Sequence, residues 1–316
     1  MAFALSLLVP VLDAEAQPSA KVYRVGVLTG DASPGIQTFR QALRDLGYIE
    51  GRNLVIVARS DKGNPESLPA LAADLVRLKV DIILASSSTY VRAVKQATRT
   101  IPIVFAVHND PVGTGDVASL AHPGGNITGT TQMATDLSAK QLELLKEVVP
   151  GLTRVGVIWN ATTPSHEPAL KRSEAAARTL GVRLSKLEAQ NVGELERAFA
   201  TAAQERVGAV FVMTSPMAVQ ERERLVGVAA KHRLPTMYTQ RLFVEAGGLL
   251  AYGTDILDLY RRAAGYVDKI LKGADPANLP VEQPTKFELV INLKTARTLG
   301  MTIPPSLLVR ANQVIE

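Results

Sequence analysis

Short, almost unbroken apolar runs alternate along this chain with longer stretches in which apolar residues recur every three or four positions. Val22–Leu28, Asn53–Arg59, Asp81–Ala85 and Ile103–Val107 are runs of the first kind; Ile36–Leu46, Leu68–Leu78 and Thr89–Thr98 are of the second. Runs apolar on both faces, separated by amphipathic segments, predict parallel strands joined by crossover helices. Gly47 stands where a helix C′ residue belongs. Gly124-Gly125-Asn126 reads as a turn and as the passage out of a first α/β unit.

The same order then returns. A helix over Ser138–Val148, stopped by Pro150-Gly151, precedes strand Arg154–Trp159, helix Pro168–Leu180, strand Arg183–Leu187, helix Val192–Glu205, strand Gly208–Met213, helix Ala218–His232 and strand Thr236–Tyr238. A long helix Ile256–Lys272, an extended Pro280–Pro284 segment, a strand Phe287–Ile291, a helix Leu293–Leu299 and a short helix after Pro304-Pro305 complete the chain.

The repetition reaches individual residues. Arg24-Val25-Gly26-Val27-Leu28-Thr29 recurs as Arg154-Val155-Gly156-Val157-Ile158-Trp159, and the run starting at Val80 is matched by the run starting at Val207. Ile101–Phe105 is matched by Leu234–Tyr238, and Gly124-Gly125 with Gly129 by Gly247-Gly248 with Gly253. The expected fold is α/β, with two doubly wound, Rossmann-like lobes of parallel sheet. Residues beyond about 253 lie outside the repeat, so the lobes must share them and the hinge should be crossed three times. Residues 21–131 with about 254–280 are expected in lobe 1, and 132–253 with about 281–316 in lobe 2.

Composition narrows what such a chain can do. At 316 residues, 47% hydrophobic and 21% charged, it can bury two cores. The net charge of +5 is spread among acids without a basic, aromatic-laced stripe, which argues against nucleic-acid binding. The absence of cysteine excludes disulfides, thiolate metal sites and a cysteine nucleophile, and the four histidines have no metal-ligand spacing. No Gly-x-Ser-x-Gly, His-Glu-x-x-His, Gly-x-Gly-x-x-Gly or Walker-type motif occurs, so neither catalysis nor a cofactor is expected. Phe3–Leu12 is too short an apolar run to span a bilayer and, with Ala14-Glu15-Ala16 as a cleavage site, reads as a signal peptide or its remnant within residues 1–20, although no Lys or Arg precedes it.

In open parallel sheets, ligands bind beyond the carboxyl ends of the strands. The residues just after the strands are Thr29, then Ser86, Ser87, Ser88 and Thr89, then Asn109 and Asp110 in the first unit. In the second they are Trp159, Asn160, Thr214, Ser215 and Tyr238, with Tyr252 and Asp255 at the return crossing. Hydroxyl, amide and aromatic groups of this kind suit a compact polar ligand with a carboxylate and an apolar body. Each has a plainer reading. The Ser86–Thr89 cluster and Thr214-Ser215 can be helix caps, and Asp110-Pro111 an ordinary turn. Asp255 can pair with a ligand ammonium or cap the last long helix.

Longer blocks carry a family resemblance. Asp110-Pro111-Val112-Gly113, His122-Pro123-Gly124-Gly125-Asn126-Ile127-Thr128-Gly129, Phe243–Leu250, Tyr252-Gly253, Ile270–Pro276 and Lys286–Asn292 resemble the ABC-transporter substrate-binding proteins of the group that includes tryptophan- and tyrosine-binding receptors. The resemblance implies a type 1 periplasmic-binding fold and two lobes that close on a small solute, an amino acid or small organic acid. It also implies an ABC permease and its ATPase as partners, with no catalysis. With no cysteine to carry a lipid, it implies a freely soluble periplasmic monomer. A ligand-sensing module feeding a signalling receptor is the alternative reading. An enzyme of two α/β lobes is a third, disfavoured by the missing catalytic groups.

Overall fold

The uninterrupted apolar runs form the strands of the first sheet. In this computed structural model, which describes residues 21–31, 33 and 35–316, the first lobe contains β1 (Tyr23–Thr29), α1 (Ile36–Asp45), β2 (Leu54–Ser60), α2 (Leu68–Arg77), β3 (Ile82–Ala85), α3 (Ser88–Ala97), β4 (Ile103–His108) and β5 (Ile127–Thr131). The signal-like segment lies outside the described residues. The strands pair in the order β2-β1-β3-β4-β5, all parallel. β3 and β4 are buried throughout, as a sheet covered on both faces requires. α2 and α3 cover one face, where Leu75, Val91 and Val94 meet Leu28, Ile83 and Phe105.

The second lobe runs through α4 (Ala134–Val148), β6 (Arg154–Trp159), α5 (His166–Thr179), β7 (Arg183–Glu188), α6 (Val192–Gln204), β8 (Ala209–Val212), α7 (Pro216–Gln220), α8 (Arg222–Lys231), β9 (Thr236–Tyr238), α9 (Arg241–Glu245) and β10 (Leu250–Thr254). The chain then returns as α10 (Ile256–Leu271), and ends as β11 (Phe287–Asn292), α11 (Leu293–Thr298), α12 (Pro305–Arg310) and β12 (Gln313–Ile315). The sheet order is β12-β11-β10-β9-β8-β6-β7, with only the β10–β11 pair antiparallel.

α10 closes the open face of the other lobe. Its Leu259, Tyr260, Ala263 and Val267 pack with Phe39 and Leu43 of α1 against Val25, Val27 and Val104. The chain therefore crosses between the sheets after Thr131, after Thr254 and again beyond Glu282. The segment before that last crossing still runs along β5: Glu282 N donates to Gly129 O at 3.0 Å and Thr131 N to Glu282 O at 2.9 Å.

Several expectations need correction. The exit from the first lobe is not at Gly124-Gly125-Asn126, because the chain first adds β5, whose polar Thr-rich sequence hides a fully buried strand. The expected helix Ala218–His232 is two helices, broken at Glu221 (φ −95°, ψ 19°). α4 starts at Ala134, ahead of the expected Ser138, directly after Met133 in a left-handed conformation (φ 52°). The return crossing at Tyr252-Gly253 is a strand in its own right, and α9 went unrecognised.

Candidate functional site

The carboxyl ends of the two sheets face each other across a cavity that is open to solvent at its mouth. Lobe 1 contributes Gly30, Ser86, Ser87, Ser88, Tyr90 and Asn109 to its wall, and lobe 2 contributes Thr163, Thr214, Ser215, Val219, Gln220 and Gln240. Gln132 from the first crossing and Ile256 and Tyr260 from α10 close the hinge side. Among the described residues, none that lines it is an Asp, Glu, Lys, Arg or His. The cavity is therefore neutral, and any charge on a ligand must be met by dipoles and hydrogen bonds.

The strongest such dipole is the start of α3. The first-turn N–H groups of a helix have no intrahelical acceptor and form its positive end. Ser87 holds the N-cap position in extended geometry (φ −158°, ψ 173°), yet its side chain does not cap the helix. Ser87 Oγ and, behind it, Thr89 Oγ1 are buried without a hydrogen-bond partner. Free amides beside unpaired hydroxyls can receive a carboxylate.

Below this helix end, Tyr260 forms the floor. Its hydroxyl shares a hydrogen bond of 2.7 Å with Ser33 Oγ. Burial pushes its phenol up to about 12, against hydrogen bonds from Ser33 and Ser86 that lower it. Gly35 lets the ring lie there, since a β-carbon at that position would overlap the ring atoms.

On the lobe 2 side, the buried His166 holds two strand-end loops together. Its Nδ1 accepts from Asn160 N at 2.9 Å and its Nε2 donates to Thr214 O at 3.0 Å. That pattern needs the neutral ring, and burial lowers the His166 pKa to about 4. Ser215 Oγ caps α7 by accepting from Ala218 N at 3.2 Å, and Thr214 Oγ1 shares a hydrogen bond with Thr239 Oγ1. The lobes also touch directly. Asn109 Nδ2 donates to Ser165 Oγ at 2.7 Å, its Oδ1 accepts from Gln132 Nε2, and Arg92 Nη1 reaches Thr162 O at 3.4 Å.

Of the sequence-predicted residues, Ser86, Ser87, Ser88, Asn109, Thr214 and Ser215 line this cavity. The others do not. Thr29 is buried at the end of β1 and donates to its neighbour Gly30 O. Thr89 is not on the wall, and its Oγ1 is buried without a hydrogen-bond partner. Asp110 forms a turn, with Oδ1 accepting from Gly113 N at 2.8 Å. Trp159 packs against the lobe 2 core, and Asn160 Oδ1 accepts from Thr162 N and Oγ1. Tyr238 is fully buried in the lobe 2 core, stacked on Phe243 at 4.9 Å. Tyr252 stacks on Phe287 at 6.3 Å. Asp255 caps α10 through Leu257 N and Asp258 N and lies outside the cavity wall.

Tyr90, Gln132, Gln220, Gln240 and Tyr260 were not singled out from sequence. The strand-end rule reads only the first residues of each loop, whereas Tyr90, Gln220 and Tyr260 reach the cavity from helical turns, Gln132 from the first crossing, and Gln240 from the second loop residue after β9. Among the described residues no group of His, Asp or Glu is placed to hold a metal ion, and no helix is long and apolar enough to cross a membrane.

The chain is similar to several known proteins. The tyrosine-binding protein of Clostridioides difficile (strain R20291) is 27% identical over 264 residues, covering 83% of this chain and 75% of that protein. A conserved domain protein from Vibrio cholerae O1 biovar El Tor is 28% identical, with a TM-score of 0.87 over 93% of this chain and 100% of that one. An ABC domain from Streptococcus pneumoniae solved in complex with L-Trp is 24% identical, with a TM-score of 0.86 over the same shares, 93% and 100%. Residues 27–315 match the family model described as ABC transporter substrate binding protein, and the chain belongs to that family, the solute-binding components of ABC importers.

Proposed function

We propose that the cavity receives one aromatic amino acid, which the protein carries outside the cytoplasm to an ABC permease and its ATPase. The observation that carries the ligand class is the uncharged wall: residues with no net charge enclose the site, which matches a zwitterion better than an organic anion. The carboxylate would sit at the start of α3 against Ser87 and Ser88. The ring would lie among Val107, Val219, Ile256 and Tyr260, and Asn109, Thr214 and Gln240 supply further donors and acceptors. The tyrosine-binding relative and the L-Trp complex support the aromatic side chain.

The site is read as binding without turnover. Its lining residues hold no acid–base pair, so proton transfer has no agent. The signal-like residues support a periplasmic location, which osmotic-shock fractionation would check.

Calorimetric titration of the chain with L-tyrosine and L-tryptophan tests the proposal. Binding should raise the melting temperature, and Ser87→Ala should weaken it about fivefold by removing one hydrogen bond. The absence of heat and of any melting shift with both amino acids would overturn it.

A further inference from the structure

We propose that Tyr90 and Asp61 select for a protonated amine on the ligand, with Tyr90 making the contact and Asp61 acting as a positioning residue through it. The inference rests on the interlobe cavity being the ligand site.

Tyr90 lies in the first turn of α3 and lines the cavity, and Asp61 follows β2 directly behind it. Tyr90 OH donates to Asp61 Oδ2 at 3.4 Å, and the two residues are 2% and 6% exposed. A phenol has one proton to give. Once it is directed at Asp61, the oxygen turned toward the cavity can only accept. Gly30 leaves the approach open: a β-carbon there would stand 2.8 Å from Tyr90 OH and 3.7 Å from Asp61 Oδ1. The wall at this point therefore offers acceptors to a donor.

Asp61 also lacks compensation. A carboxylate can accept about four hydrogen bonds. Beyond the phenol, the Asp61 side chain accepts from Gly63 N, at 3.4 Å. Among the described residues no Lys, Arg or His forms an ion pair with it. Burial raises the Asp61 carboxyl above its ordinary value against the hydrogen bonds from Gly63 N and Tyr90 that lower it, and the like charge of its neighbour Asp31 adds to the rise. A buried carboxylate in this state gains most from a cation brought by the ligand. With a carboxylate held at the start of α3, an amine at Tyr90 would satisfy both ends of one zwitterion on one helix.

Calorimetry of the full chain with L-tryptophan and with 3-indolepropionate, which differs by the amine alone, tests this. Wild type should prefer the amino acid by about ten- to a hundredfold, the worth of a hydrogen bond from a charged donor. Tyr90→Phe removes the oxygen alone and Asp61→Asn the charge alone, so either variant decides by itself. Each should cut that preference toward unity by weakening L-tryptophan while leaving 3-indolepropionate unchanged. An equal loss for both compounds would mean a structural role and overturn the inference, as would an unaltered preference in either variant. Failure of wild type to bind either compound would overturn the ligand reading and this inference together. Equal wild-type affinity for the two would overturn this inference alone.

Discussion

The two lobes solve the same packing problem with the same residues and differ where they face each other. Gly26 and Gly156 occupy equivalent places in β1 and β6. A β-carbon there would meet Val80 at 3.1 Å and Leu75 at 3.3 Å in lobe 1, and Leu187 at 3.0 Å and Val207 at 3.6 Å in lobe 2. Arg24 donates to Leu78 O at the end of α2, and Arg154 to Glu205 O at the end of α6, so each supplies positive charge to a helix C-terminus. Lys79 and Arg206 turn the chain into the next strand with the same left-handed backbone, φ 50° and 53°. The copies part company at the cleft. Lobe 1 buries the Asp61 carboxylate behind Tyr90 of its cavity wall, while lobe 2 presents hydroxyls and amides held by a neutral His166. Shared residues are those that pack helix on strand; divergent ones face the cavity, where packing imposes no common answer.

The comparison can be broken most forcefully at Gly129 and Gly253. A β-carbon on Gly129 would lie 2.1 Å from Phe105 O, and one on Gly253 1.9 Å from Thr239 O. Each contact is with backbone that cannot move aside, so Gly129→Ala and Gly253→Ala should each destabilise by about 3 kcal/mol or more. Urea unfolding would check this. If only one variant suffers, the two hinge strands are not equivalent.

Acid should separate the lobes next. The folded pKa of His166 is lowered from 6.5 to about 4 by burial. Between those values the unfolded chain takes up a proton that the folded chain refuses. Stability should therefore fall by about 3 kcal/mol as pH drops from 6.5 to 4, and His166→Gln should flatten that slope. Asp116 behaves differently. Burial pushes its carboxyl up, but hydrogen bonds and charge from His108, with Thr114 and Lys95, outweigh burial and hold it at about 2. Its folded pKa is depressed, so its contribution of about 2 kcal/mol is present above pH 3.8 and is lost as pH falls through 2. Asp116→Asn should remove that lower window only. Overlapping windows in urea melts across pH would contradict the assignment of neutral histidine to one lobe and paired charge to the other.

The smallest effect sharpens the likeness. Arg24→Ala and Arg154→Ala should each lower stability by about 1 kcal/mol or less, since each removes one hydrogen bond at a helix end. A clear difference between them would show that the matched arginines do unequal work.

Much of this fold is readable from residue order. The apolar runs of β1, β3, β4, β6 and β8 are long enough to mark buried parallel strands, and glycines 47 and 181 mark helix ends with left-handed backbone, φ 91° and 65°. β5 was not readable, because Ile127–Thr131 buries three threonines whose hydroxyls are satisfied by distant carbonyls such as Leu279 O and Ala106 O. The serines of α3 and the Asn109 loop were readable as cavity residues because strand ends point there in any parallel sheet. Tyr238 and Asp255 were misleading for a local reason. Strand alternation turns the Tyr238 ring into the lobe 2 core against Phe243, and the N-cap position claims the Asp255 carboxylate.

Sequence alone determined that two α/β halves would form, where their helices stop, and which polar residues stand at the strand ends, because these depend on periodicity and backbone preference within a few residues. Only the tertiary structure decided which of those polar groups share a cavity. α10 brings Tyr260 from one end of the chain to Ser33 near the other, and Asn109 meets Ser165 across the cleft. It also decided that Asp61 lies behind Tyr90 without an ion pair among the described residues. Such meetings depend on how sheets stack and hinges cross, and no short-range pattern records them.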